Sequence, residues 1–209
     1  DLFMLFNEKY FKNLDQEVLD KIYSYYDFLN YWNQKINLIS RKDIDNFYLH
    51  HFVHSASIYK FHQFKDGTKF IDVGSGGGFP GLPLAILNKN LQFTLVDSIN
   101  KKTLFLKNAV KELQLDNVKV ERCRMEHFEQ KCDFVIGRAV SNITTFYNLT
   151  YKNISNYNNN NIKNGIIYLT GGDVQKDIDS YQGVVVNSIN SVFDEDYFFD
   201  KKIIFIPKQ

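Results

Sequence analysis

Between Asn13 and Ile36 the apolar side chains return at three- and four-residue steps: Leu14, Val18, Ile22, Tyr25, Leu29, Trp32 and Ile36. That spacing puts them on one face of a helix, and Asn13 with Gln16 three residues on reads as a capping box at its start. After a turn at 37–40, Ile44, Phe47, Tyr48, Phe52 and Ile58 repeat the pattern and predict a second helix over 43–60. Past Asp66-Gly67 the rhythm changes. The runs 69–73, 92–97, 118–123, 133–137 and 166–170 are short and apolar, as buried strands are, while 82–88, 101–113 and 142–154 carry helical spacing. In the helix over 101–113, Leu104, Phe105, Ala109 and Leu113 are expected to face inward. Two closing strands, 184–192 and 202–207, are expected as a hairpin at the sheet edge. The run NYNNNNIKN, 156–164, is low in complexity and is expected to be an unstructured loop bordering the substrate face.

Strands alternating with helices predict an α/β fold with a doubly wound, mostly parallel, seven-stranded sheet. The expected division is a helical segment over 1–65 packed on an α/β domain over 66–209. With 44% hydrophobic residues in 209, the chain can bury one full core of that kind. No apolar run approaches the roughly 20 residues of a membrane span. The opening DLFMLFNEKYFKN has no basic leading region and no small-residue cleavage site, so it is not read as a signal peptide. Cys123 and Cys132 form no CxxC pair and suit a reducing, cytoplasmic setting. A net charge of +1 means that any nucleic-acid site must be a local basic patch.

The candidate chemistry centres on FIDVGSGGGFPGLPLAIL, 70–87. Glycines between two apolar runs let a ligand approach the main chain closely, and a strand, a glycine-rich turn and a helix together form a cofactor cradle. Two patterns overlap here. Asp72 followed by Gly74-x-Gly76-x-Gly78 has the acidic-x-GxGxG spacing of S-adenosylmethionine enzymes, whereas Gly76-x-Gly78-x-x-Gly81 matches the dinucleotide GxGxxG. Asp72 would repel a pyrophosphate but suits a cationic ammonium or sulfonium. Pro80 sits where a dinucleotide site needs free backbone N–H groups. Asp97 ends the second strand, where a carboxylate accepts from both ribose hydroxyls; nicotinamide enzymes do the same, so it supports only the adenosine half. Met125 and Glu126 follow the third strand, where an adenine edge would lie.

The remaining residues narrow the acceptor. After the fourth strand stands Ile136-Gly137-Arg138-Ala139-Val140, not the Asn/Asp-Pro-Pro-aromatic segment that holds exocyclic amino groups, and neither cysteine has the setting of a carbon-5 nucleophile. A ring nitrogen such as guanine N7 carries a lone pair and no proton, so its methylation needs positioning more than a base. Arg138, at the ligand edge of the sheet, is the candidate catalytic residue, able to fork onto a cofactor carboxylate or guanine O6. His50, His51 and His54 lack the Glu of HExxH and any third ligand at defensible spacing, so no metal is expected; they read as an exposed or capping histidine face.

FIDVGSGGGFPGLPLAIL, FTLVDSINKKTLFL, Arg124-Met125-Glu126 and DFVIGRAV together closely resemble the RsmG family, also called glucose-inhibited division protein B. WNQKINLISRKD, the His-x-x-x-Ser at 51–55, GIIYLTGGD and KKIIFIPK extend the resemblance over nearly the whole chain. The resemblance implies a class I, Rossmann-like S-adenosylmethionine methyltransferase acting on N7 of one guanine near the decoding centre of 16S ribosomal RNA. It implies that Gly74 and Phe79 line the cofactor, that Met125 and Glu126 meet the adenine, and that Arg138 meets cofactor or guanine. Lys101, Arg124 and Lys201 fall where the family presents basic residues to RNA. Thr170 replaces the family's Lys after the fifth strand, and His54 replaces its Asp, which puts RNA affinity in question more than reaction class. The expected protein is a cytoplasmic monomer with 16S rRNA or the small subunit as partner. The alternatives are a methyltransferase on another RNA or small molecule, a degenerate binder without turnover, and a nicotinamide-binding protein.

Overall fold

The computed structural model describes residues 9–209; the first eight residues of the stretch judged not to be a signal peptide lie outside the described residues. The first long helix, α1, spans Gln16–Asn33 and buries Ile22, Tyr25 and Leu29. Its cap is Asp15, not Asn13: the extended Asp15 accepts the Val18 N–H at 2.9 Å, while Asn13 lies upstream at φ 55°.

The second predicted helix is not one regular helix. It winds as a 3₁₀ turn (Arg41–Asn46), a π-helix (Phe47–Val53) and two short α segments (His54–Ala56, Ile58–Phe61). Phe47 and Phe52, both fully buried, are five residues apart, which matches the i→i+5 winding of a π-helix better than the i→i+4 of an α-helix.

The sheet follows. Strand β1 is Lys69–Val73, helix α2 Gly81–Leu87, β2 Gln92–Asp97, α3 Asn100–Glu112, β3 Val118–Arg122 and β4 Phe134–Arg138. Then come α4 (Ile143–Thr150), β5 (Gly165–Gly171), β6 (Val185–Ser188) and β7 (Lys201–Pro207). The seven strands order as β3-β2-β1-β4-β5-β7-β6. The first five are parallel to one another, and β7 runs antiparallel between β5 and β6. The expected closing pair is therefore present as an antiparallel β6–β7 pair at one end of the sheet, with β6 outermost and shorter than the predicted 184–192. Parallel strands buried on both faces need unbroken apolar runs, and Phe93, Phe70 and Phe134 sit in register on neighbouring strands, with Phe70 stacked 4.9 Å from Phe93 and 5.6 Å from Phe134. The N-terminal helices close over this face, so Ile22, Tyr25, Leu29, Phe47 and Phe52 belong to the same core as Phe70.

On α3 the inward face is Thr103, Phe105, Leu106 and Ala109; Leu104, expected inward, is half exposed. The Asn-rich run has no regular secondary structure, as expected, but it is tied down by its own side chains. Asn158 accepts the Asn164 N–H at 2.7 Å, and Asn160 accepts from the Lys65 N–H and the Thr68 hydroxyl. Asn side chains substitute here for backbone turns. Since Thr68 precedes β1 and Asn164 precedes β5, this loop lies at the end of the sheet opposite the glycine loop and borders no substrate face there.

Candidate functional site

The C-terminal ends of β1, β2 and β3 are level: Asp72 pairs with Leu95, and Asp97 with Arg122. The chain leaves β1 through Gly74 (φ +70°) and Gly76 (φ +54°), left-handed conformations that glycine adopts without strain. Asp97 fixes this turn from the side. Its Oδ2 accepts the Gly76 N–H at 3.0 Å and its Oδ1 accepts the Ile99 N–H at 2.9 Å. Each oxygen keeps a lone pair for a further donor. A cleft of about 220 Å³ opens beside it, lined by Gly74, Asp97, Ser98, Met125, Glu126 and Val140 among others. The sequence-predicted Gly74, Asp97, Met125 and Glu126 thus converge, and Gly76 abuts them through Asp97.

Val140 is a wall that sequence reasoning missed. A Cβ built on Gly74 would stand 3.1 Å from its side chain. The segment is held by Tyr168 of β5, whose hydroxyl accepts from Val140 N (2.9 Å) and Ser141 N (3.2 Å) and donates to Ser141 O (2.6 Å). The intervening Ala139 sits at φ 51°, an unfavourable conformation for a residue with a Cβ.

Four further predicted cofactor residues do not line the cleft: Asp72, Gly78, Phe79 and Arg138. Asp72 is fully buried, and its Oδ2 accepts the Gly81 N–H at 2.8 Å; burial raises its carboxyl to about 7. It holds the start of α2 and does not line the cleft, because the loop folds over it. Gly78 (φ +97°) is crowded by Leu82 and the Tyr25 hydroxyl, so helix packing, not ligand approach, requires a glycine there. Phe79 packs into the N-terminal helices, 5.5 Å from Tyr25 and 5.1 Å from His51, and does not line the cleft. Tyr25 itself reaches the loop, donating to Gly77 O at 2.6 Å.

Arg138 ends β4 on this second, inward side. Its guanidinium lies 4.7 Å from the Phe79 ring centre and donates to His50 O (3.2 Å) and His51 Nδ1 (3.0 Å). Asp43 joins both histidines, with Oδ1 at 2.6 Å from His50 Nδ1 and Oδ2 at 2.8 Å from His51 Nε2. Tyr197 stacks on His50 at 3.8 Å and donates to His50 O at 3.0 Å. Burial and the Arg138 charge lower His51 to about 4. Burial would raise Asp43, but hydrogen bonds from His50 and Asn46 hold it below its usual value. The expected exposed histidine face is thus corrected: His51 and His54 are buried, and only His50 is partly open. Tyr197 carried no sequence signal, since its contact with His50 spans 147 residues; Asp43 stood in the WNQKINLISRKD stretch, seven and eight residues before His50 and His51, but nothing local showed that it would join them. Among the described residues, no group of three His, Cys, Asp or Glu could hold a metal ion.

Of the predicted RNA contacts, Lys101 and Arg124 are exposed beside the cleft, at the start of α3 and just after β3. Lys201 is partly covered, paired with Asp200 and 5.2 Å from the Tyr197 ring. Opposite Thr170, where the resemblance expects a lysine, stands Lys202 of β7, whose ammonium donates to Gly172 O. A cation therefore remains at this edge of the sheet.

The family model described as rRNA small subunit methyltransferase G matches residues 18–192. Ribosomal RNA small subunit methyltransferase G of Flavobacterium johnsoniae is 40% identical over 200 residues, covering 95% of this chain and 95% of its own length. The protein of the same name from Bacteroides thetaiotaomicron is 41% identical over 198 residues, covering 94% of this chain and 96% of its own. Among solved structures, MtNAS in complex with MTA and tNA aligns with a TM-score of 0.61 at 12% identity, over 90% of this chain and 70% of its own. A SAM-dependent O-methyltransferase from Thermotoga maritima aligns with a TM-score of 0.58 at 13% identity, over 87% of this chain and 71% of its own. At such identities the structural likeness establishes the class I, Rossmann-like methyltransferase fold.

Proposed function

We propose a function from one premise: the chain belongs to the rRNA small subunit methyltransferase G family. It is an S-adenosylmethionine-dependent methyltransferase acting on small-subunit ribosomal RNA. The finer reading is our own: the acceptor is N7 of one guanine in the decoding-centre loop of 16S rRNA, and the protein works as a cytoplasmic monomer. No helix of the described residues is long and apolar enough to cross a membrane, which accords with that setting.

The residues present fit the cofactor. Any side chain at Gly74 would press on Val140, so the glycine leaves room for a ligand against the main chain. Asp97 offers carboxylate lone pairs to ribose hydroxyls, and buried Met125 offers an apolar face for an aromatic ring. When bound, S-adenosylmethionine supplies an electrophilic methyl group on a sulfonium. The chain's own part is orientation. Asp97 and the Gly74–Gly76 turn hold the nucleoside, and Lys101 and Arg124 draw RNA phosphates to the rim. Arg138 presents N–H donors to an acceptor on cofactor or guanine.

The observation that carries the N7 reading is the state of Asp97 and Asp72; the third acid, Glu126, lines the cleft beside Met125, where the adenine is placed. Asp97 is engaged by two backbone N–H groups, and Asp72 is sealed beneath the loop. Neither is placed to take a proton from an incoming nucleophile, and guanine N7 has none to give. The test is transfer of labelled methyl groups to small subunits, and to their naked rRNA, from a strain lacking the modification, with the site mapped by cleavage specific for 7-methylguanine. One labelled guanine in the decoding-centre loop is expected. Label at an amino group or a ring carbon would refute the N7 reading, and cofactor binding without transfer would favour a degenerate binder.

A further inference from the structure

The polar cluster between the N-terminal helices and the end of β4 is more ordered than packing alone requires. Arginine has only donors, so the 3.0 Å contact between Arg138 Nη2 and His51 Nδ1 makes Nδ1 the acceptor. The proton of neutral His51 therefore sits on Nε2, where Asp43 Oδ2 receives it at 2.8 Å. Asp43 Oδ1 takes a second bond from His50 Nδ1, and the His50 carbonyl receives both Arg138 Nη1 and the Tyr197 hydroxyl. Phe79 covers one face of the guanidinium. Two of its five N–H donors are thereby used, and the other three meet no protein acceptor among the described residues. One edge of the arginine is fixed while the rest stays available.

We propose that Asp43 and His51 are positioning residues: the carboxylate sets the imidazole tautomer, and the imidazole fixes one edge of Arg138, two residues before the cleft wall Val140, leaving its other donors to serve the methyl-transfer reaction. This rests on the function proposed above. It gives the helical segment a part in the reaction that a packing role would not, because the aim of Arg138 then depends on residues of the 3₁₀ turn and the π-helix. The wide π winding is what brings His50, His51 and Asp43 to one point. The strained Ala139 that follows Arg138 indicates that the fold tolerates a backbone cost to hold this segment.

The acid limit follows from the same geometry. The charged or titratable groups facing His51 are Asp43 from the 3₁₀ turn, Arg138 from β4 and His50 from its own π-helix; Tyr197 approaches from the turn at 196–198 through His50. A second proton would place an Nδ1–H against a guanidinium N–H, donor against donor and cation against cation. The contact must then open.

The experiment uses the full chain with His51→Leu, His51→Asn and Asp43→Asn. Methyl transfer to small subunits gives kcat and KM, and calorimetry gives the affinity for S-adenosylhomocysteine. His51→Leu is expected to lower kcat by about 10²-fold, the scale of a misplaced catalytic group, with cofactor affinity little changed and a melting temperature lowered no more than that of His51→Asn. His51→Asn puts an amide oxygen near the place of Nδ1 and is expected to recover most of that loss. Asp43→Asn is expected to move the acid limb of the wild-type kcat profile. Equal loss in the Leu and Asn variants, or loss that tracks melting temperature, would overturn the proposal in favour of packing. If the wild-type chain methylates no rRNA, the functional reading fails separately. Nitrogen-15 NMR then decides the positioning: the His51 Nε2–H tautomer and slow rotation of the Arg138 guanidinium are expected, and guanidinium signals unchanged by His51→Leu would refute it.

Discussion

The glycine loop has two halves that the same sequence motif does not distinguish. Gly74 lines a cleft where Val140 limits the space beside it, and Gly76 is tied to the same cleft through Asp97. Gly78 and Gly81 face protein: a Cβ at Gly78 would stand 2.3 Å from Leu82, and one at Gly81 2.4 Å from Leu95 and 2.6 Å from the Asp72 carboxylate. Glycine is required in both halves, for a left-handed turn at the cleft in the first and for helix–strand packing in the second. The acids divide the same way. Asp97 lines the open half, whereas Asp72 is sealed under the closed one. The Pro80-Gly81 end of the loop therefore belongs to the scaffold, and the proposed cofactor site lies at the other end.

The largest effect expected from this contrast is on stability. Gly81→Ala pushes a methyl group into Leu95 and the Asp72 carboxylate, and overpacking of this kind costs about 3 kcal/mol. Urea unfolding should show that loss, and whatever protein remains folded should bind S-adenosylhomocysteine nearly normally. A stable Gly81→Ala protein with lost cofactor binding would reverse the assignment of the two halves.

Tyr25→Phe comes next. It removes the hydroxyl that ties α1 to Gly77 O and leaves a buried carbonyl without that donor, a loss of about 2 kcal/mol. The melting temperature should fall while the affinity of the open half changes little. Gly74→Ala should behave in the opposite sense. Its positive φ costs about 1 kcal/mol, but the added methyl stands in the cleft against Val140. Cofactor affinity measured by calorimetry should drop by about tenfold, more than the stability loss would suggest. If instead Tyr25→Phe and Gly74→Ala scale affinity and stability together, the halves are one unit and the contrast is lost.

How far the sequence could be read follows the same divide. The strand and helix order was legible because parallel strands buried on both faces demand unbroken apolar runs such as FIDV and QFTLVD. The open half was legible too, since Gly74, Asp97 and Met125-Glu126 sit at strand ends by sequence position alone. The closed half was not. Nothing local says that Phe79 turns toward Tyr25 and His51, or that Arg138 meets a carbonyl 88 residues earlier. The π winding was hidden because apolar residues five apart look like imperfect α spacing. The Asn-rich run was legible as irregular but not as tied down: its side chains cap backbone groups of neighbouring segments and so order a stretch that reads as loose.

The smallest net effect expected in the wild type is its pH slope, and it sharpens the contrast through two groups of opposite sign. Burial raises Asp72 from 3.8 to about 7. Between those values the folded chain keeps a proton that the unfolded chain releases, so stability falls as pH rises through that window. Burial lowers His51 from 6.5 to about 4, helped by the Arg138 charge. In that window the unfolded chain binds a proton that the folded chain refuses, so stability falls as pH drops. The two slopes oppose each other from about 4 to about 6.5 and should leave the wild-type chain with a shallow net dependence there from this pair. Asp72→Asn can keep an acceptor for the Gly81 N–H while removing one of the slopes. Its unfolding free energy should therefore drop more steeply than that of the wild type on acidification from pH 6.5 to 4.5, and exceed the wild type most clearly above pH 7. Parallel curves for the two proteins would mean that Asp72 ionises as an exposed carboxylate does, and that the closed half of the loop admits water.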